Sequence, residues 1–108
     1  MARKRMFSND IVDTDKFLNM PTSTQLLYFQ FGMKADDDGF IGSAQKIMKC
    51  CGCKQKDLDR LIQEGYIARF DSGVCYIRNW EIHNTIRKDR YTPTQYGEEA
   101  LMVCEGWV

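Results

Sequence analysis

The residues best suited to do chemistry in this sequence are Lys54, Lys56, Arg60 and Gln63. At about 100° per residue, a helix that turns Leu58, Leu61 and Ile62 inward presents Lys56, Arg60 and Gln63 on its opposite side. Arg, Lys and Gln carry the donors that read base edges in the major groove. Asp57, Asp59 and Glu64 lie on the same stretch and work against that chemistry. Further basic residues are scattered: Arg3, Lys4, Arg5, Lys46, Lys49, Arg78, Arg87, Lys88 and Arg90. An N-terminal arm and a wing are the usual places for phosphate contacts, so these residues are expected along a DNA backbone.

Three other groups are weaker. Cys50 and Cys53 have CxxC spacing, and Cys75 and His83 could complete four ligands, but there is no second close-spaced pair, as a zinc ribbon needs. Cys51 falls where a small apolar core residue is expected. Asp36-Asp37-Asp38-Gly39 could hold a cation, yet position 47 of an EF-hand reading is Ile, and Asp-Gly after a helix is first a turn signal. His83, the single histidine, follows a strand and reads as a hydrogen-bonding residue. No nucleophile elbow, P-loop or glycine-rich phosphate loop occurs. The sequence therefore predicts neither an enzyme nor a metal or cofactor site.

Composition narrows the class. The 108 residues make one domain, with 44% apolar and 28% charged residues, as in soluble globular chains. Fifteen Lys and Arg balance fifteen Asp and Glu, which excludes nucleic-acid binding by bulk charge and leaves local clustering. No apolar run is long enough for a membrane span, and none follows the basic start as in a signal peptide. Five Cys, an odd number, fit reduced thiols in a cytoplasm.

The elements that must position these residues follow from caps and periodicity. Asp13-Thr14-Asp15 start a short helix over 14–20. Thr22 and Gln25 fit a capping box for a helix over 23–35. That helix is apolar almost all round, as a central core helix or a subunit interface would be, and its aromatic residues Tyr28, Phe29 and Phe31 are candidates for self-association. Phe40-Ile41 could be a very short strand. Ser43 caps a helix that Gly52 ends, and a second helix runs over 54–64 to Gly65. Residues 66–70 and 74–80 form a hairpin around Asp71-Ser72-Gly73. The expected fold is mainly α with a small β-hairpin (α+β), a winged helix-turn-helix. Residues 1–92 form the domain, and 93–108 are a C-terminal tail or the start of a linker.

Three stretches carry a resemblance: Gln25-Leu26-Leu27-Tyr28, the turn from Ala35 to Phe40, and Trp80-Glu81-Ile82-His83-Asn84 leading into Arg87-Lys88-Asp89-Arg90-Tyr91. Over roughly residues 3–99 the chain resembles the N-terminal winged-helix domain of phage and prophage replisome organisers, replication initiation proteins related to the DnaD-like family. The resemblance implies a domain that binds double-stranded origin DNA in a bacterial host cytoplasm, and a homo-oligomer. It also implies a following helical domain that recruits the host helicase loader or helicase. In the DnaD-like branch, the winged-helix domain serves largely for self-association, with DNA contacts elsewhere. A winged-helix transcription regulator is a further reading of the same fold.

Overall fold

The computed structural model of the chain describes residues 4–106. Two one-turn helices, α1 (Asn9–Val12) and α2 (Asp15–Leu18), precede the long α3 (Thr22–Lys34). Each short helix starts on a hydroxyl: Ser8 Oγ accepts from the Asp10 amide and Thr14 Oγ1 from the Phe17 amide. Then come β1 (Phe40–Ile41), α4 (Ala44–Cys51), α5 (Gln55–Gln63), β2 (Ile67–Arg69) and β3 (Cys75–Ile77). Two further helices close the chain, α6 (Trp80–His83) and α7 (Gly97–Cys104). The strands form one antiparallel sheet in the order β1-β3-β2, with Phe40 opposite Tyr76 and Ile67 opposite Ile77. The architecture is α+β, and the expected hairpin gains β1 as a third strand.

α3 runs through the centre. Leu27, Tyr28 and Phe31 are fully buried, packed among Ile47 and Met48 of α4, Leu58 and Leu61 of α5, and the inner sheet residues Ile41, Cys75 and Ile77. Phe17 stands edge-on to Tyr28 and Tyr66, at 5.4 and 5.6 Å between ring centres. The self-association expected of Tyr28, Phe29 and Phe31 is therefore corrected. Tyr28 and Phe31 have no surface to offer a partner, and half-buried Phe29 packs edge-on against Phe7 and Phe17 of its own chain. The chain's own arm and short helices supply the cover that a second subunit was expected to provide.

Four local expectations also change. α3 begins one residue early, after Pro21, and Thr22 and Gln25 form no capping box. Gln25 Nε2 instead donates to the carbonyls of Leu18 and Met20, which closes the end of α2. Ser43 stands at the N-cap of α4 with no side-chain cap bond. Helix α6 starts at Trp80, inside the stretch expected to be a strand. Finally, the boundary expected at residue 92 falls within a packed segment: Thr92 and Thr94 bond the aspartate turn and the Tyr96 ring lies against Gly42.

That tie is the aspartate turn. Asp36 accepts the amides of Asp38 and Phe40 and the Thr94 hydroxyl. Asp37 lies against Arg5 at 3.0 Å and accepts the Thr92 amide, while its carbonyl accepts Trp80 Nε1–H. Asp38 accepts the Tyr91 hydroxyl and the Thr94 amide. Through their carboxylates and the Asp37 carbonyl, the three aspartates thus join the N-terminal arm, α6 and the 91–94 segment. Donors from the chain surround each of the three carboxylates.

Candidate nucleic-acid interface

α5 is held by its inner face. Leu58 and Leu61 are fully buried against α3, and Asp57 is buried with them. The Asp57 carboxylate accepts the Lys54 amide at 2.9 Å and the hydroxyls of Ser23 and Thr24 at 2.8 and 2.9 Å. Burial alone would raise its pKa. The three hydrogen bonds and the nearby Lys56 charge outweigh burial and hold the carboxyl below the usual carboxylate range. One side chain therefore caps the start of α5 and ties it to the start of α3. Asp57 lies at the floor of the groove that Lys56, Arg60 and Gln63 line, with its carboxylate engaged by the Lys54, Ser23 and Thr24 donors.

What remains outward is the expected set. Lys54, Lys56 and Gln63 are exposed and Arg60 is half-exposed. Lys56, Arg60 and Gln63 share a groove with Pro21, Ser23 and Thr24 and with the carboxylates of Asp57 and Asp59. Arg60 forms an ion pair with Glu64 at 3.2 Å, one turn on. An exposed pair of this kind is worth well under about 1 kcal/mol, so the guanidinium is easily released to another acceptor. Asp59 accepts from Gln55.

α4 extends this surface. Its outward Gln45 donates to Gln55 at 3.3 Å, so the exposed arcs of the two helices meet there. Lys46 and Lys49 are exposed on that arc, and Lys46 also lines a cleft with Lys34 and Gln30 of α3. The combined face carries five cations (Lys46, Lys49, Lys54, Lys56, Arg60) against the carboxylates of Asp59 and Glu64. The clue to Asp57 in the sequence was an acid three residues after the helix start, a capping position.

The scattered basic residues fare unevenly. Arg3 lies outside the described residues. Lys4 is exposed. Arg5 is corrected: its guanidinium is buried, bonded to Asp37 and to the Ala35 carbonyl at 2.9 Å, and lies over the Trp80 ring. It anchors the arm and does not face a DNA backbone. Arg78, Arg87, Lys88 and Arg90 are exposed, with Arg87 paired to Asp89 at 3.3 Å. None of the four lines the groove of Lys56, Arg60 and Gln63. The hairpin tip is not basic, because Asp71 sits there and Glu99 of α7 accepts the Ser72 hydroxyl.

The thiols range from exposed to buried, and the histidine is buried. Cys50 is exposed, Cys51 half-buried, and Cys53 buried with its Sγ toward the Ser23 carbonyl. Cys75 lies in the sheet core. His83 Nδ1 accepts the Ser8 amide at 2.8 Å, so its proton sits on Nε2, 2.5 Å from the Tyr28 hydroxyl. Comparison with protein-family models, curated proteins and solved structures found no match.

Proposed function

We propose that the chain is a winged helix-turn-helix domain that binds double-stranded DNA, with α5 in the major groove and α4 beside it on the phosphates. The element sequence α3-β1-α4-α5-β2-β3 and the strand order β1-β3-β2 support the winged-helix reading. The observation that carries the function is the outward arc of α5. Lys56, Arg60 and Gln63 lie outside a buried Leu58–Leu61 stripe, and the buried Asp57 carboxylate is taken up by the Lys54 amide and the Ser23 and Thr24 hydroxyls. The resemblance to replisome organisers makes origin DNA of a phage or prophage replicon the natural target, with helicase-loader recruitment left to a further domain.

Anisotropy on random duplex DNA between about 50 and 300 mM salt tests this. Three phosphate contacts, from Lys46, Lys49 and Lys54, predict a log–log slope near −2.7, at about −0.9 per contact. K56E/R60E should abolish binding at all salts while leaving the fold intact, since both side chains are outside the core. No binding at the lowest salt, or unchanged binding by K56E/R60E, overturns the proposal.

A further inference from the structure

The face on α4 and α5 leaves unexplained a groove of about 770 Å³ between the β2–β3 turn and α7. α7 brings Ala100 and Val103 beside Phe40 and Tyr76 on the outer face of the sheet. Its Glu99 reaches the hairpin and accepts the Ser72 hydroxyl at 2.6 Å. This orientation sends the two largest apolar residues of the helix outward. Leu101 is 59% and Met102 44% exposed, and together with Phe70 they line the groove. Apolar surface left in water beside a concave site marks a binding surface more often than scattered exposure does.

The rim restricts the occupant. Among the described residues, Asp71, Glu98 and Glu99 line it beside the guanidinium of Arg69. This excess of carboxylates repels nucleic acid, acidic peptides and anionic lipid headgroups. A simple cation would leave the apolar floor uncovered. A helix with one apolar and one basic face satisfies both features, its aliphatic side chains on Leu101, Met102 and Phe70 and its ammonium or guanidinium groups over the rim. Unbranched Met102 can adapt its shape to such a face. We propose that this groove binds a basic amphipathic helical segment of a partner protein. It shares no residue with the α4–α5 face, so it stands or falls independently of DNA binding.

The test titrates the isotope-labelled chain with a synthetic amphipathic Leu/Lys peptide. The control is a scrambled peptide of the same composition whose Leu and Lys do not segregate on a helix. Saturable resonance shifts confined to residues 69–72 and 98–105 are expected, with affinity about tenfold weaker for the scrambled peptide. L101S/M102S should weaken the amphipathic peptide by about tenfold as well, and E98K by about fivefold. These side chains are exposed, so the variants keep the fold. Four results overturn the proposal: no saturable shift up to about 1 mM peptide, equal affinity for the scrambled peptide, undiminished affinity of L101S/M102S, or a concentration-dependent dimer that L101S/M102S abolishes. The last would assign the groove to a second copy of the chain.

Discussion

His83 shows how much one side chain can be asked to hold. Its Nδ1 accepts the Ser8 amide from the N-terminal arm, its Nε2 faces the Tyr28 hydroxyl in the core, and neighbouring Asn84 bonds both the amide and the carbonyl of Met6. The geometry admits only the neutral ring, and burial lowers the His83 pKa below its ordinary 6.5. As pH falls, the unfolded chain therefore takes up this proton before the folded one. The stabilisation is complete above pH 6.5 and is lost as the pH drops below it. Thermal midpoints should fall between about pH 7 and pH 5, with faster hydrogen exchange at the Ser8 amide, and H83Q should flatten that part of the profile. A midpoint that does not change over this range would refute the role given to the ring. Asp57 adds a second, separate loss on acidification below 3.8, because its pKa is also depressed.

At the scale of elements, α4 and α5 are positioned by two devices. One is the Asp57 tie to Ser23 and Thr24. The other is the tight turn after α4, where Gly52 takes φ +72° and its amide bonds back to Lys49. Nothing crowds a Cβ at Gly52, so G52A should cost only the conformational penalty, about 1 kcal/mol in chemical denaturation, with DNA affinity unchanged. Gly39 is a different case. Its φ is +88° and an added Cβ would fall 2.6 Å from the Trp80 ring. G39A should cost more than G52A, by about 2 kcal/mol, because the rigid indole that donates to the Asp37 carbonyl must move.

Across the whole molecule, α3, the aspartate turn and the segment from Trp80 to Tyr91 meet in one place. Tyr28 reaches His83, Trp80 reaches Asp37, and Tyr91 reaches Asp38. Around this centre the N-terminal arm, α3, the aspartate turn, α6 and the 91–94 segment lock together. Arg5 is the member contributed by the arm, and its pair with Asp37 is withdrawn from water. Removing one partner of a buried pair is far more costly than removing a surface pair, so R5A should lower stability by about 3–5 kcal/mol in urea unfolding. K4A, on an exposed neighbour, should be nearly silent. Equal effects of the two would mean that the arm is not anchored through Arg5.

Much of this was legible along the chain because it is local. Helical periodicity oriented α5 correctly, and Gly52, Gly65 and Gly73 marked turns that the fold uses. Caps found α2 and α4 to within a few residues, since a helix end is decided by its nearest side chains and dihedrals. The fates of Arg5, Asp57, Tyr28 and Phe31 were not legible. Each depends on a partner 30 or more residues away, apart from the packing of Phe31 within the core. A basic arm and an aromatic helix read alike whether they face DNA, a second subunit or their own chain. Only the tertiary structure decided that the arm closes over the core, because burying Phe7 and pairing Arg5 with Asp37 requires α3, α6 and the aspartate turn to be assembled first.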